Sequence, residues 1–190
     1  MYNNFLSHIR RFIPLTKEEE NTLLKYAQYK EVNNKEFILK TGQVCDANYF
    51  VIDGCFRMYL IADNGVEQIV QFGISNWWIT DYTSLESKSP SIYSIQALEK
   101  SSVIILNQKD QEEIFKKIPL LERYFRMIVQ RAYTATLTRI YYIFNFTGEE
   151  RYHRFVNSFP EFVQRIPQYM LASYLGFTPE FLSKIRAKKI

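Results

Sequence analysis

The sequence predicts an α+β protein with an N-terminal antiparallel β-roll or jelly roll and flanking helices, a long dimerisation helix, and a C-terminal all-α helix-turn-helix domain without an evident wing. Three observations predict this order. Short β-branched and aromatic runs fill residues 36–107, one long helical pattern follows, and two short amphipathic patterns separated by a glycine lie near the end. We therefore expect a β-roll domain over residues 1–118, the long helix over 119–146 and the helix-turn-helix domain over 147–190.

The composition is that of a globular protein. Of the 190 residues, 47% are hydrophobic, 16% are aromatic and 23% are charged. The first residues, MYNNFLSHIRRF, lack the apolar core of a signal peptide, and the uncharged apolar runs are too short to span a bilayer. We expect a cytoplasmic protein that has no membrane partner.

The N-terminal half carries helix-start and strand signals in turn. Thr16 with Glu19 three residues later has the spacing of a capping box and predicts a helix start. The runs EFIL, NYFVIDG, CFRMYLI, VEQIVQFG, SIYSIQAL and SSVIILN then predict strands, and Asp63–Gly65 predicts a tight hairpin between two of them. Because no long helical pattern interrupts the strands, an antiparallel roll is favoured over a parallel sheet.

The long helical pattern carries an apolar seam whose residues alternate at spacings of four and three. This spacing is the one that a coiled-coil partner requires, so it predicts a dimer seam. The alternative, that the helix only packs on its own roll, stays open. The seam residues are Leu121, Phe125, Ile128, Ala132 and Ala135.

Charge is divided unevenly along the chain. Residues 1–120 carry a net charge of −2, whereas residues 121–190 carry +6. A neutral module followed by a basic one suggests that the second module contacts a polyanion, although a basic solvated helix face would give a similar count.

The segment QYMLASYLGFTPEFLSKIRAKK has the pattern of a helix-turn-helix. Gly176 supplies the positive φ of a short turn between crossed helices, Thr178 is a good N-cap, and Pro179 suits the first helical position. Ala172 is small where the second helix must cross closely. A plain helical hairpin is the alternative, but the basic end of the second helix favours DNA binding.

These motifs together resemble the Crp/Fnr family of bacterial transcription regulators over essentially the whole chain. The most specific part is LASYLGFTPEFLSKIR, and YFVIDG, FTGEERY and the roll segment TGQVCDANYFVIDG occur in the family's order. The resemblance implies a roll similar to those that bind cyclic nucleotides, a dimerising helix, and a homodimer that binds a roughly two-fold site in double-stranded promoter DNA.

Residues on the second helix of the motif share an outward face and are expected to contact DNA. By resemblance, Glu180 and Lys184 lie where the family reads bases; a glutamate accepts from the cytosine amine and a lysine donates to guanine. The expected base-reading residues are Glu180, Ser183 and Lys184. The expected contacts to the DNA backbone are Gln168, Tyr169, Thr178, Arg186, Lys188 and Lys189.

The segment ISNWWITDYTSL lies where the family's phosphate-binding cassette would lie. Cyclic-nucleotide binders have Phe-Gly-Glu there and later an arginine that pairs with the phosphate, but this chain has no arginine from Ile74 to Lys100. Control by cyclic AMP is therefore not expected.

The adjacent tryptophans of that segment have three interpretations. Core packing of the roll against the long helix is favoured first, although adjacent strand residues face opposite sides, so at most one tryptophan does so. A pocket for an unknown small effector is second, and a contact to RNA polymerase or to the other subunit is third. The pocket residues would be Trp77, Trp78, Asp81, Tyr82 and Ser84.

The sequence contains few residues that could bind a metal, an iron–sulfur cluster or haem. Cys45 and Cys55 are too few for an iron–sulfur cluster or a structural zinc site, and we expect both to be reduced core residues. The only two histidines, His8 and His153, give little support to a haem site, which would need axial ligands. The roll strands contain no histidine that could bind the metal of a metalloenzyme. We expect no enzyme, no metal and no identified cofactor. The alternative function is an effector-binding or protein-interaction module of the same fold with weak or lost DNA binding.

Overall fold

The computed structural model describes residues 2–187 and has the α+β architecture that the sequence predicts. The helices in this range are α1 (Asn3–Arg10), α2 (Lys17–Tyr26), α3 (Tyr82–Ser87), α4 (Gln108–Lys117), α5 (Leu120–Asn145), α6 (Gly148–Ser158), α7 (Pro160–Arg165), α8 (Gln168–Leu175) and α9 (Pro179–Ala187). The strands are β1 (Gln28–Val32), β2 (Phe37–Leu39), β3 (Ala47–Asp53), β4 (Cys55–Ile61), β5 (Glu67–Ile74), β6 (Trp78–Ile79), β7 (Ser94–Ala97) and β8 (Ser101–Asn107).

The strands form two four-stranded sheets in which every pairing is antiparallel. One sheet has the order β1-β8-β3-β6 and the other has the order β2-β7-β4-β5. The predicted antiparallel roll is therefore confirmed. Strand β5 lies at the edge of its sheet.

Local signals in the sequence place the helix and hairpin ends correctly. Thr16 and Glu19 form the predicted capping box at the start of α2, and Thr147 and Glu150 form another at the start of α6. The hairpin between β4 and β5 turns at Asp63–Gly65, where Gly65 has a φ of 79°. The predicted helix start at Thr16 and the predicted hairpin are therefore confirmed.

The interior of the roll is filled by apolar residues from both sheets. Val51, Phe56, Ile95 and Val103 are fully buried in one cluster between the sheets. Both cysteines are free and buried, as expected, and burial raises the pKa of the Cys55 thiol to about 12. A thiol with so high a pKa stays protonated, which makes it a packing residue.

The long helix α5 has a buried beginning and an exposed remainder. Leu121 and Tyr124, in its first two turns, are almost completely buried against the roll. From Val129 to Thr138 every residue is exposed. An exposed helix of this length gains little stability from its own hydrogen bonds and depends on a covering surface.

The last four helices form a bundle that packs on the side of the roll at β4 and β5. Phe72 of β5 contacts Phe162 of α7 and Tyr174 of α8, with ring centroids 5.0 and 5.2 Å apart. Cys55 and Ile69 of the roll share an apolar cluster with residues of α8 and α9. The bundle and the roll thus share one buried core.

Candidate nucleic-acid interface

Helices α8 and α9 form the predicted helix-turn-helix. Gly176 ends α8 in the left-handed conformation with a φ of 76°, and its N–H bonds to the carbonyls of Ala172 and Ser173. The Thr178 hydroxyl accepts from the N–H of Phe181 over 3.2 Å and so caps the start of α9. The turn therefore has the glycine and the threonine cap that the sequence indicates.

The inner faces of the two helices are apolar and tightly buried. Leu171 and Ala172 of α8 have no exposed surface, and Leu182 and Ile185 of α9 are at most 4% exposed. The small side chain of Ala172 belongs to the same buried cluster as these two α9 residues. Packing therefore fixes which face of α9 points away from the protein.

The three predicted base-reading residues share that outward face. Glu180, Ser183 and Lys184 are all exposed, and their spacing of three and four places them on one side of the helix. Hydrogen bonds from its own backbone N–H and from the Thr178 hydroxyl lower the pKa of Glu180, so this carboxylate is charged and accepts hydrogen bonds. The face thus presents an acceptor, a hydroxyl and a cation.

The residues predicted to contact the DNA backbone are placed less uniformly. Tyr169 and Arg186 are exposed, and Thr178 is exposed but also serves as the cap of α9. The amide oxygen of Gln168 is buried without a hydrogen-bond partner, which leaves its amide nitrogen as the group that can donate. Lys188 and Lys189 lie outside the described residues.

Two arginines that were not singled out in the sequence hold α8 in place. Arg139 of α5 donates to the Tyr174 carbonyl over 2.5 Å, and Arg151 of α6 donates to the Leu175 carbonyl over 3.2 Å. Both carbonyls belong to the last turn of α8, where backbone acceptors lack helical partners. Arg139 lies seven residues after Ala132 on the same helix face, which is the one signal in the sequence that ties it to the seam.

The predicted dimer seam needs correction, because its N-terminal part is covered by the protomer itself. Leu121 is 1% exposed in the roll core, and Phe125 packs on Trp78 with ring centroids 5.2 Å apart. Ile128 packs against the same cluster, whereas Ala132 and Ala135 are exposed. The seam face is turned towards the roll, so Leu121 and Phe125 are unavailable to a partner, as the alternative interpretation allowed.

A different apolar stripe of α5 is uncovered, about a third of a turn further round the helix. Its members lie at spacings of four, four, three and four, and each is at least 43% exposed. This α5 stripe consists of Val129, Tyr133, Leu137, Ile140 and Phe144.

The two tryptophans point in different directions. Trp78 is 9% exposed and packs between the roll and α5, where its indole N–H donates to the Tyr124 hydroxyl over 2.7 Å. Trp77 is 43% exposed and touches the ring of Phe159. Core packing of one tryptophan against the long helix, the interpretation favoured first, is confirmed for Trp78.

Two of the five residues of the candidate effector pocket, Asp81 and Ser84, are hydrogen-bonded within the chain. Both carboxylate oxygens of Asp81 are used within the chain: one accepts from the N–H groups of Thr83 and Ser84 at the start of α3, and the other accepts from the Ser91 hydroxyl over 2.6 Å. Ser84 accepts from the N–H of Cys45 and donates to a backbone carbonyl. Tyr82 is 44% exposed at the surface. Asp81 and Ser84 therefore act as local hydrogen-bonding groups around the start of α3.

No helix within residues 2–187 is long and apolar enough to cross a membrane. Over the same range, no group of three or more histidine, cysteine, aspartate or glutamate side chains is arranged to hold a metal ion.

Comparison with known proteins relates the roll to one family. Residues 29–118 match the family model of the cyclic nucleotide-binding domain. This range covers the roll from β1 to the end of α4.

The chain is also similar to two curated bacterial proteins. It is 24% identical over 161 residues to the transcriptional activator protein Anr of Pseudomonas protegens, covering 79% of this chain and 65% of that protein. It is 26% identical over 151 residues to the transcriptional regulatory protein btr of Bordetella pertussis, covering 74% of this chain and 62% of that protein. The chain thus spans less than two thirds of the length of either relative.

Among solved structures, FixK2 from Bradyrhizobium japonicum has the same fold. It superposes with a TM-score of 0.73 at 18% sequence identity, covering 85% of this chain and 83% of that chain.

Proposed function

We propose that the chain is a sequence-specific, DNA-binding transcription regulator of the Crp/Fnr type that acts as a homodimer; its match to the cyclic nucleotide-binding domain and its similarity to two curated bacterial regulators support this proposal. The observation that carries the proposal is the outward face of α9. Glu180, Ser183 and Lys184 are exposed there, while the opposite face of the helix is buried on α8. The bundle therefore holds a polar helix face free for the major groove.

The chemistry of this face suits base edges. The ionised Glu180 accepts from the amino group of cytosine, Lys184 donates to the acceptors of guanine, and Ser183 serves either role. Arg186, Tyr169, Thr178 and the Gln168 amide flank the face and contact phosphates, which fix the register of the helix on the duplex. Lys188 and Lys189 continue the same basic end and are assigned to phosphates as well.

The proposed homodimer is supported by the α5 stripe. Five large apolar side chains on the exposed part of α5 need a covering surface, and the stripe repeats at the spacings of a helix–helix contact. A second copy packed in parallel along the stripe would present two α9 helices to successive major grooves on one side of the DNA. The partners are thus double-stranded promoter DNA and a second copy, with RNA polymerase as the protein that the bound dimer recruits or blocks.

We assign one role to each of the three domains predicted from the sequence. Residues 1–118 form the effector-type roll, residues 119–146 the dimerisation helix and residues 147–190 the DNA-binding domain. We do not propose cyclic AMP as the signal, for two reasons. The Asp81 carboxylate already accepts hydrogen bonds from the start of α3 and from Ser91, and no arginine lies between Ile74 and Lys100. A buried phosphate would lack its cationic partner there.

The test is selection of binding sites from a random DNA pool, followed by gel shifts on the selected site at increasing salt. We expect Lys184→Ala and Glu180→Ala to raise the Kd about 10- to 100-fold. Lys109→Ala and Glu112→Ala on α4 change the same residue types at exposed positions of the roll and should stay within about twofold of the parent protein. Absence of any site-specific binding at low salt would reject the proposed function in favour of a module that has lost DNA binding.

A further inference from the structure

Strand β5 is an edge strand whose outer polar groups are covered by the C-terminal bundle. It pairs with β4 on one side only. The outer N–H and C=O groups of such a strand need partners when another element packs over them. Here the partners come from α8 and α5.

Ser173 of α8 pairs with β5 as a neighbouring strand would. Its hydroxyl accepts from the N–H of Ile69 over 2.9 Å and donates to the carbonyl of Glu67 over 2.9 Å. The Gln68 amide donates in turn to the Ser173 carbonyl over 2.5 Å. These three directional bonds specify one register of α8 along the strand.

Arg139 joins three elements through one guanidinium. One nitrogen donates to the Val70 carbonyl of β5 over 2.7 Å, another donates to the Tyr174 carbonyl of α8 over 2.5 Å, and the group lies 4.2 Å from the centre of the Tyr174 ring. Burial lowers the pKa of this arginine from its ordinary value. The guanidinium contacts these two carbonyls and this ring, so its desolvation is offset only while β5 and α8 stay in place.

A second arginine binds the same last turn of α8. Arg151 of α6 donates to the Leu175 carbonyl and lies 4.7 Å from the centre of the Phe177 ring. These two residues lie directly before and directly after Gly176 of the turn. Since α8 packs tightly on α9 through Leu171 and Ala172, the position of α8 determines the position of α9. Rigid packing transmits any shift of α8 to the outward face of α9.

We propose that Arg139 and Ser173 are positioning residues for DNA recognition: they fix α9 relative to the roll and to α5, and thereby set the distance between the two α9 helices of the dimer. The inference rests on the proposed function. It assigns to two residues that face the protein interior an effect on which spacing of DNA half-sites the dimer accepts.

The experiment varies the spacer between the two halves of the selected binding site by up to two base pairs in either direction. Parent protein should strongly prefer one spacing, because each added base pair rotates and moves one half-site relative to the other. We expect Arg139→Met to reduce that preference at least tenfold, Arg139→Lys to reduce it less because it keeps one donor, and Ser173→Ala to reduce it in the same sense. Arg123→Gln, which removes an exposed arginine from the same helix, should leave the preference unchanged.

A second measurement follows the position of the bundle without DNA. Spin labels at Lys40→Cys on the roll and Gln164→Cys on α7, both exposed positions, report the distance between roll and bundle in samples diluted with unlabelled protein. The two native cysteines are buried and remain unlabelled. We expect a narrow distance distribution in the parent and a broader one in Arg139→Met.

Unchanged spacing preference in both Arg139→Met and Ser173→Ala would overturn the proposal, whether or not the distance distribution broadens. If Arg139→Met does not fold, as judged by its thermal transition, Ser173→Ala decides by the same criterion. If the parent protein binds no DNA site, the proposed function fails, and an unchanged distance distribution in the variants would then overturn the positioning role separately.

Discussion

The indole N–H of Trp78 donates to the hydroxyl oxygen of Tyr124 over 2.7 Å, and this bond ties strand β6 of the roll to the second turn of α5. The same hydroxyl lies 2.8 Å from Nδ1 of His8 in α1. Because the Tyr124 oxygen accepts from Trp78, its proton is free to be donated to His8, which requires Nδ1 to be unprotonated. Three elements thus meet at one buried phenol.

Replacing Trp78 tests the contribution of this contact. Trp78→Phe keeps an aromatic ring but removes the donor, and we expect the free energy of unfolding to fall by about 2 kcal/mol. Trp77→Phe is the matched control, because Trp77 is 43% exposed, and should change it by less than about 0.5 kcal/mol. Urea unfolding measures both, and equal losses in the two variants would contradict the assignment.

His8, which contacts the Tyr124 hydroxyl, makes stability depend on pH in a defined window. Burial, followed by the nearby Arg11 and Arg131, lowers the pKa of His8 from 6.5 to about 4. The unfolded chain therefore binds a proton between about pH 6.5 and 4 that the folded chain does not, so stability falls as the pH decreases through this window and is unaffected by His8 above it. The full loss from this group is roughly 3 kcal/mol.

Unfolding midpoints at pH 7.5 and pH 5 in parent and His8→Gln measure this effect. The variant cannot take up the proton, so we expect its stability to decrease less than that of the parent between the two pH values. A parallel decrease in the two proteins would assign the pH dependence to other groups.

Two glycines in the roll should respond very differently to the same substitution. A Cβ at Gly54 would meet the side chain of Ser101 and lie 2.8 Å from its Cα, at a φ of 104°. At Gly42, with a φ of 86°, a Cβ meets nothing within 4 Å. We expect Gly42→Ala to cost about 1 kcal/mol from the backbone conformation alone and Gly54→Ala to cost at least about 3 kcal/mol. Thermal unfolding compares them, and a similar cost at both sites would contradict the close approach of Ser101.

The α5 stripe makes a prediction about oligomeric state. Ile140→Glu places a charge in the proposed interface and should convert the dimer to a monomer, because an unpaired charge is costly to bury. Thr138→Glu adds the same charge on the opposite side of the helix, where the residue is exposed, and should remain dimeric. Light scattering after size-exclusion chromatography distinguishes the two, and dissociation by Thr138→Glu alone would relocate the interface.

Phosphate and base contacts should separate in their dependence on salt. Arg186→Ala removes a proposed phosphate contact, so we expect weaker binding to all sequences and a salt dependence whose slope falls by about 1. Lys184→Ala should instead alter which bases are preferred. The measurement is a titration of selected and scrambled DNA at several salt concentrations; a sequence-selective effect of Arg186→Ala would assign it to the bases.

Features that depend on neighbouring residues were predictable from the sequence, and long-range contacts were not. Thr16, Thr147 and Gly176 act within one turn of their own position, so their caps and turns are readable locally. The contact of Ser173 with Ile69 joins residues 104 positions apart, and nothing in either segment signals the other.

The misplaced seam has a related cause. Periodicity identifies an apolar face on α5 but does not show which surface covers it. In the structure the roll of the same chain covers Leu121 and Phe125, so a second copy cannot pack on them. The sequence does not predict the short elements β6 and α3, because two and six residues are too few to show a period. The outward face of α9, in contrast, follows directly from the pattern of its buried residues.

The covering of β5 by α8 also bears on how the chain can be divided. A fragment that ends after α5 would keep the roll intact but would leave the outer edge of β5 bare, together with the apolar side chains of Ile69 and Phe72. Bare, apolar strand edges pair with the same edge on other molecules and produce aggregates. The C-terminal bundle thus also protects this edge of the roll from aggregation.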